Sequence, residues 1–349
     1  MTALPDSSPA VSDQNPTARA SSPWTGRIDG DGPEHARWHQ RIADAANAGR
    51  GHAVDAPHVA LVGFRSDEGV RRNAGRVGAA NGPEALRRAL SPLALHGPCA
   101  DGSVRLLDHG DAVTVGEALE SGQAQAADRI TAALDTPGNL FTIVLGGGHE
   151  TAWATYQGLQ ASRRLSTARP RPRVGVLNLD AHFDLREAPR PTSGTPFWQM
   201  ACAEQEQGRT LQYAVLGIAE PSNTGVLFER AQQIGTRWMT DLEVLRGGAP
   251  AVIEFVEQFC AGLDVLHLSI DLDVLPASVA PGVSAPAGLG VDPGLIALAV
   301  STAAKTGTLA VLDVVELNPH LDQDQRTART AARLIDLALT QALGSRATA

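Results

Sequence analysis

The amino-acid sequence predicts an α/β protein in which a mainly parallel β-sheet is sandwiched by helices. Short runs of β-branched and other apolar residues alternate along the chain with longer segments whose apolar residues recur every three or four positions. Most of the short runs are apolar throughout, as expected for strands that helices cover on both faces. Alternation of this kind is typical of a parallel sheet.

The elements follow one another in a regular order. Strands are predicted over residues 58–64, 104–107, 140–145, 174–179, 212–217, 265–270 and 309–315. Helices are predicted over residues 34–46, 85–90, 117–134, 151–164, 223–234, 250–262, 293–306 and 324–343. Residues 1–23 are polar, contain proline and lack periodicity, so they are predicted to be a disordered tail. No linker or repeat divides residues 24–349, which we expect to form a single domain.

Composition and charge exclude several functional classes. The 349 residues include 29 Lys and Arg against 38 Asp and Glu, so the net charge is −9 and a sequence-independent grip on nucleic acid is not expected. No run of about 18 apolar residues is present, and the polar N-terminus does not resemble a secretory signal. Cys99, Cys202 and Cys260 are widely spaced, which argues against a disulfide framework. These features predict a cytoplasmic protein without membrane or nucleic-acid partners.

Polar residues that could bind a metal or take part in catalysis follow four of the predicted strands. The segments, in chain order, are Gly146-Gly147-Gly148-His149-Glu150, Asp180-Ala181-His182-Phe183-Asp184, Asp271-Leu272-Asp273 and the single residue Glu316. In open α/β sheets the binding crevice lies beyond the carboxyl ends of the strands. We therefore expect all four segments to meet at one edge of the sheet.

The spacing and charge of these segments predict two divalent cations. Asp180, His182 and Asp184 alternate, so their side chains share a face if the backbone is extended. Such a run spans roughly 13 Å, too far for one cation unless the segment curls, whereas two cations about 3.5–4 Å apart fit better. Two divalent ions also balance four carboxylates, and oxygen donors with imidazoles favour Mn²⁺ over zinc. A lone Asp after a strand is usually a cap or turn residue, but two alternating clusters are harder to explain in that way.

Three motifs resemble the metal-binding signatures of the ureohydrolase family, which includes arginase, agmatinase and formimidoylglutamase. They are GGGHE at 146–150, NLDAHFDLR at 178–186 and SIDLDVLPASVAPGVSAP at 269–286. The resemblance extends from about Trp24 to Leu343. Residues 66–83, Arg186 and residues 193–197 are most similar to the formimidoylglutamase branch. The zinc-protease motif HExxH is absent because residue 153 is Trp, and so is the serine-hydrolase motif GxSxG.

The resemblance implies a three-layer α/β/α fold with an arginase-like binuclear Mn²⁺ centre. By motif position, one ion belongs largely to His149, Asp184 and Asp273, the other is reached by His182, and Asp180 and Asp271 supply shared oxygens. The implied reaction is hydrolysis of N-formimidoyl-L-glutamate to L-glutamate and formamide, in histidine degradation, by a metal-bridging hydroxide. The expected catalytic residues are Asp273, which orients the hydroxide, and Glu316, which pairs with the cationic formimidoyl head.

The two carboxylates of that substrate require cationic receptors, and the guanidinium fork of arginine suits them best. Arg186 lies two residues beyond Asp184, at the mouth of the predicted metal site. A Gly-rich loop after the first predicted strand adds further candidates, for which a solvated basic loop is the alternative. The candidate substrate-binding residues are Arg186, Ser193, Asn73, Arg72 and Arg76.

Two other functions stay open from the sequence. The first is an agmatinase or guanidino-acid amidinohydrolase that releases urea, and the second is a non-catalytic metal-binding scaffold. Arginases carry a histidine where this chain has Phe197, which weighs against arginase activity and leaves the proton donor to the departing amine unidentified. Family members commonly assemble, so a homo-oligomer is also expected.

Overall fold

The computed structural model describes residues 22–47 and 55–347, in which nine strands form one sheet. The strands are β1 Ile42–Asp44, β2 His58–Arg65, β3 Arg105–Val113, β4 Asn139–Leu145, β5 Val174–Leu179, β6 Gln212–Ile218, β7 Arg237–Thr240, β8 Val265–Asp271 and β9 Leu309–Val315. Their order across the sheet is β1-β3-β2-β4-β9-β8-β5-β6-β7. Every neighbouring pair is parallel, so all the carboxyl ends lie at one edge.

Helices cover both faces of this sheet and complete three layers. They are α1 Trp38–Arg41, α2 Glu68–Arg72, α3 Gly82–Leu90, α4 Pro98–Asp101, α5 Leu119–Asp135, α6 Thr151–Ala161, α7 Arg163–Ser166, α8 Pro196–Glu206, α9 Gly225–Gln233, α10 Asp241–Cys260, α11 Pro293–Lys305 and α12 Arg326–Ala347. On one face α10, α11, α12 and α3 pack side by side, and on the other α5 packs on α6 and α6 on α8.

Alternate residues of the central strands enter opposite cores, which explains why these strands are apolar throughout. In β5, Leu177 and Leu179 share a core with α10, α11 and α12, whereas Val176 packs with Phe197 and Met200 of α8. Both faces are therefore removed from water, as the apolar runs predict.

The seven predicted strands are all confirmed, while several helices differ from their predictions. The helix predicted over 34–46 is wrong: only α1 forms there, and the chain then enters β1, whose Ile42 pairs with Leu106 of β3. The helix predicted over 151–164 breaks at Ser162, between α6 and α7. The helix predicted over 250–262 begins nine residues earlier, because α10 continues through a kink at Gly248.

The sequence-based prediction missed α8 and the short edge strand β7. The predicted tail over residues 1–23 lies, apart from residues 22 and 23, outside the described residues, and the single domain over 24–349 stays a prediction. In the described ranges no helix is long and apolar enough to span a membrane. Four adjacent strands, β4, β9, β8 and β5, end together in the middle of one sheet edge, and the polar segments predicted from the sequence follow these four strands.

Candidate metal centre

The loop that follows β5 folds back on itself directly after the strand. The Asp180 carboxylate accepts a hydrogen bond from the backbone N–H of His182 at 2.6 Å, and Asp184 has a left-handed backbone with φ of +47°. The expected extended run over 180–184 is therefore wrong. Because the segment curls, Asp180 and Asp184 both lie within reach of the same imidazole, that of His149.

The loop after β8 repeats the same local device. The Asp271 carboxylate accepts the backbone N–H of Asp273 at 2.8 Å, and residues 272–274 form one 3₁₀ turn. A short polar side chain that captures the N–H two residues later stabilises a turn of this kind. In each loop one carboxylate oxygen of the first aspartate accepts a hydrogen bond from the loop's own backbone, while its other oxygen faces His149.

The candidate ligand atoms form two groups that meet at Asp180. In the first, His149 Nδ1 lies 3.3 Å from Asp180 Oδ2, 3.0 Å from Asp184 Oδ2 and 2.9 Å from Asp271 Oδ2. In the second, His182 Nδ1 lies 3.1 Å from Asp273 Oδ2 and 3.4 Å from Asp180 Oδ1. Within each group the candidate ligand atoms all lie within 4.8 Å of one another.

This grouping corrects the one implied by motif position. Asp273 lies with His182 rather than with His149, and Asp271 belongs to the His149 group alone. The reason is the 3₁₀ turn, which sends the side chains of Asp271 and Asp273 to different sides of the crevice. Asp180 remains the residue common to both groups, as the resemblance implies.

The electrostatics of the cluster fit two divalent cations. None of the four carboxylates pairs with an arginine or lysine anywhere in residues 22–47 and 55–347. Burial raises the pKa of Asp184, Asp271 and Asp273, because charged carboxylates lose hydration there. His149 Nδ1 and Asp273 Oδ1 are buried without a hydrogen-bond partner. Buried charge without a counter-charge is costly, and oxygen and imidazole donors are ligands that divalent transition ions accept.

His149 is held from behind by a buried chain of side chains. Its Nε2 contacts Ser269 Oγ at 3.0 Å, Ser269 Oγ donates to Asp313, and Asp313 Oδ2 lies 2.6 Å from His267 Nε2. The other ring atom, Nδ1, is then left to face the carboxylates. His267 thus has a structural hydrogen bond to Asp313 and belongs to neither group of candidate ligands.

Glu316 closes the floor of the crevice. The residue has a positive φ of 68°, its backbone N–H donates to the Gly147 carbonyl at 2.8 Å, and its Oε1 accepts the backbone N–H of His149 at 2.7 Å. Burial, and after it the nearby Glu150 carboxylate, raise the pKa of Glu316 to about 8. Glu150 itself accepts hydrogen bonds from Ser66 Oγ and the Gly69 N–H, so it anchors the loop before α2.

A cavity of about 390 Å³ opens over both metal groups. Four of the five predicted substrate-binding residues line it, namely Arg186, Ser193, Asn73 and Arg76. The Arg186 guanidinium is exposed and pairs with no carboxylate of the described residues. The Arg76 guanidinium donates only to the carbonyls of Val283 and Ser284, at 2.7 and 2.9 Å. The cavity thus joins an anionic floor to a cationic rim.

Comparison with known proteins identifies this arrangement. Residues 57–340 match the arginase family model. The chain belongs to the arginase family. A formimidoylglutamase of Nocardia farcinica is 49% identical over 323 residues, which cover 93% of this chain and 97% of that protein. One of Rhodococcus jostii is 48% identical over 320 residues, which cover 91% and 95%. The crystal structure of Trypanosoma cruzi formiminoglutamase with Mn²⁺ is 27% identical and matches 84% of this chain and 95% of its own with a TM-score of 0.71.

One predicted substrate-binding residue of this arginase-family chain lies elsewhere. The Arg72 guanidinium is almost fully buried and forms ion pairs with Glu68 at 2.9 Å and Glu120 at 2.8 Å. It also donates to the backbone carbonyls of Pro191 and Glu117. Through these bonds Arg72 links α2 to the start of α5, and it does not line the cavity.

Two further residues of the arginase-family site, Asn178 and Phe197, support the candidate ligands. Asn178 of β5 donates to Asp180 Oδ2 at 2.8 Å and to the Tyr213 hydroxyl at 3.2 Å. Phe197 packs edge-on against the His149 ring, with ring centroids 5.2 Å apart, and stacks on Tyr213. Asn178 lies two residues before Asp180, so that contact is local, whereas Phe197, His149 and Tyr213 are far apart in the chain and spacing alone could not have paired them.

Proposed function

We propose that this chain is a formimidoylglutamase that uses two Mn²⁺ ions. The reaction adds water to the formimidoyl carbon of N-formimidoyl-L-glutamate, breaks its bond to the glutamate nitrogen and yields formamide and L-glutamate. The observation that carries the proposal is the cavity in which two acid–histidine groups face Arg186 and Arg76. That polarity suits a substrate with a cationic head and an anionic tail. The names of the relatives and the Mn²⁺ in the Trypanosoma cruzi structure support it.

The metal ligands in this proposal are the six residues of the two groups. They are His149, Asp180, His182, Asp184, Asp271 and Asp273. When bound, the two ions would lower the pKa of water and would place positive charge where negative charge develops in the transition state. Ser269 fixes the orientation of the His149 ring, and Asn178 fixes that of the Asp180 carboxylate. Support of this kind holds ligands in place before the ions arrive.

Two carboxylates are assigned to the reaction itself. Asp273 Oδ1 has no hydrogen-bond partner while its Oδ2 faces His182, so Oδ1 is free to accept a proton of the attacking water and orient it. Glu316 is fixed at the cavity floor by the His149 N–H, and we assign it to accept a hydrogen bond from the =NH₂⁺ end of the substrate. Contact with the cationic head would favour the ionised form of Glu316, and a charge-assisted hydrogen bond of this kind is strong.

The cationic rim is assigned to the glutamate end of the substrate. Arg186 and Arg76 are the carboxylate receptors, and the Asn73 amide, which donates to Ser193 Oγ at 3.2 Å, positions the serine hydroxyl toward the same region. The agmatinase alternative is less well supported, because agmatine has no carboxylate for these arginines to bind.

A product panel tests the proposal. The Mn²⁺-loaded protein is incubated with formimidoylglutamate, agmatine and a guanidino acid, and formamide, urea and ammonia are measured separately. We expect formamide and glutamate in equal amounts from formimidoylglutamate, and no urea. Urea from agmatine without formamide from formimidoylglutamate would establish the amidinohydrolase alternative. Two bound ions per chain without turnover of any substrate would establish the scaffold.

Location, ligand and assembly complete the proposal. We propose a cytoplasmic enzyme of histidine degradation, a location supported by free thiols at Cys99, Cys202 and Cys260. A small amidine substrate is the proposed ligand, and the net charge of −9 supports the absence of nucleic-acid partners. Homo-oligomerisation stays a prediction, and analytical ultracentrifugation measures it directly.

A further inference from the structure

A second cavity, of about 640 Å³, lies at the opposite edge of the sheet. It is formed where β5, β6 and β7 begin and where α6, α8 and α10 end. Val174 starts β5 and lines this cavity, whereas Asp180 follows the same strand. Six residues of extended chain separate them by about 20 Å. The cavity is therefore remote from the candidate metal centre.

The lining of this cavity carries a marked excess of positive charge. Arg171, Arg173, Arg209 and Arg237 line it against a single carboxylate, that of Glu204. The chain as a whole has a net charge of −9, so this concentration of arginine does not reflect overall composition. Clustered like charges repel one another and persist at little cost only where an opposite charge can approach.

Glu204 does not neutralise the cluster, because its own partners engage it fully. It accepts hydrogen bonds from Arg209 Nε at 2.5 Å, Gln160 Nε2 at 3.2 Å and the Tyr156 hydroxyl. Burial alone would raise the pKa of Glu204, but Arg209 and Tyr156 outweigh it and hold the pKa below its usual value. The Glu204–Arg209 ion pair thus contributes no net charge to the lining of the cavity.

Two of the remaining arginines have only uncharged partners. The Arg171 guanidinium donates to Gln160 Oε1. The Arg237 guanidinium donates to the carbonyl and side-chain oxygens of Gln258, both at 3.1 Å. Within residues 22–47 and 55–347 neither forms an ion pair. Arg173 pairs with Asp264 at 3.3 Å, but both side chains are exposed and such a pair is weak.

We propose that this cavity binds a small, multiply charged oxyanion, with Arg171 and Arg237 as its principal donors. The guanidinium fork suits the paired oxygens of carboxylate, sulfate and phosphate groups. A volume of about 640 Å³ is in the usual range for a small-molecule site. The ligand chemistry is that of a dicarboxylate or a phosphate ester. The site lies beyond the proposed catalytic function and does not depend on it.

Calorimetric titration of the Mn²⁺-loaded full chain with succinate and with sulfate tests the proposal, with sodium chloride at equal ionic strength as the reference. Arg171→Gln, Arg237→Gln and the double variant remove the proposed donors. Arg329→Gln is the matched control, since Arg329 is an exposed arginine on α12. Arg186→Gln separates this site from the substrate cavity. With Arg186→Gln present to weaken binding in the substrate cavity, we expect saturable oxyanion binding that falls by about tenfold or more when Arg171→Gln and Arg237→Gln are added and is unchanged when Arg329→Gln is added.

Three results would overturn the proposal. The first is a wild-type protein that binds neither succinate nor sulfate beyond the chloride reference. The second is binding that survives in the double variant and disappears in Arg186→Gln, which would place the anion in the substrate cavity. The third is a change of sedimentation in the double variant, which would assign these arginines to contact with a second copy of the chain. If the glutamine variants fold poorly, Arg171→Lys and Arg237→Lys keep the charge without the fork and should give intermediate affinities.

Discussion

Two acid clusters in this molecule differ in one respect, which is whether an arginine pairs with their carboxylates. Asp108 and Asp111 of β3 pair with the Arg87 guanidinium, with Arg87 Nε 2.8 Å from Asp108 and Arg87 Nη1 2.6 Å from Asp111. The Trp24 indole also donates to Asp108 at 2.8 Å. The cluster at the ends of β5 and β8 contains four aspartates and no guanidinium. The first cluster is complete, because an arginine balances it, whereas the second is incomplete, because only the imidazoles of His149 and His182 face its carboxylates.

The largest expected effect comes from breaking the incomplete cluster. Asp271→Asn keeps the shape of the side chain and removes one charge from the His149 group. We expect fewer than two Mn²⁺ ions per chain and a loss of kcat on the order of a thousandfold, because several kcal/mol of charge stabilisation depend on the ions. Elemental analysis of the purified protein and initial rates measure the two effects.

Asp128→Asn is the control for this change, since Asp128 is an exposed residue of α5. It should keep both the metal content and the rate of the wild type. If Asp271→Asn retained two tightly bound ions, the assignment of Asp271 as a ligand would fail.

Breaking the complete cluster should instead lower stability. Arg87→Met leaves two largely buried carboxylates without a partner, which typically costs about 3–5 kcal/mol. Metal content per folded molecule should not change. Arg88→Met is the matched control on the same helix, because Arg88 is exposed and pairs only with Glu84, a contact that contributes about 1 kcal/mol or less. Urea unfolding of the metal-loaded proteins compares the two.

The same comparison has a pH dependence of definite sign. Burial alone would raise the pKa of Asp108, but Arg87 outweighs it and holds the pKa below its usual value. A carboxylate with a lowered folded-state pKa stabilises the protein above its unfolded-state pKa of about 4, and this contribution is lost as the pH falls through the folded-state value. The difference between the wild type and Arg87→Met should therefore be largest near neutral pH and shrink in acid. A difference that grows in acid would contradict this account.

The two clusters also differ in how far the sequence predicts them. Asp180, His182 and Asp184 lie within five residues after one strand, and Asp271 and Asp273 after another, so the parallel topology alone brings them together. Arg87 and Asp108 are 21 residues apart, one in a helix and the other in a strand, and no short sequence motif predicts their pairing. The turn at Asp184 and the separation of Asp271 from Asp273 depend on local backbone geometry. The alternation of polar residues along the sequence does not predict that geometry.

The same limit explains the errors at the substrate rim and in the fold. Arg72 and Arg76 are four residues apart and equivalent by sequence, but Arg72 ends α2 and pairs with Glu68 and Glu120, while the Arg76 guanidinium donates to backbone carbonyls. The partner Glu120 belongs to α5, 48 residues away. The short strands β1 and β7 form at the two edges of the sheet through pairing with neighbours rather than through their own patterns.

A smaller effect is expected from the support behind His149. Ser269→Ala removes the hydroxyl that contacts His149 Nε2 and leaves Asp313 without one of its donors. Loss of such a support typically weakens metal binding by about 10–100-fold. Titration of the metal-free protein with Mn²⁺ measures the dissociation constant without reference to activity. Ser162→Ala is the control, because Ser162 is equally buried but donates only to the Leu159 carbonyl. A constant within about twofold of the wild type in Ser269→Ala would remove Ser269 from this role.

The smallest effect is expected from a substitution in the cationic rim of the substrate cavity. There the guanidinium of Arg186 has no carboxylate partner among the described residues. Arg186→Gln removes the exposed guanidinium proposed to bind a substrate carboxylate, and KM for formimidoylglutamate should rise about tenfold with kcat little changed. Solvent exposure of the guanidinium limits the size of the effect, as it does for other surface pairs. Arg190→Gln is the control, since Arg190 is an exposed arginine four residues along whose nearest carboxylates belong to Glu117 and Glu120. If kcat fell and KM stayed constant, Arg186 would act on the reacting carbon rather than on the tail of the substrate.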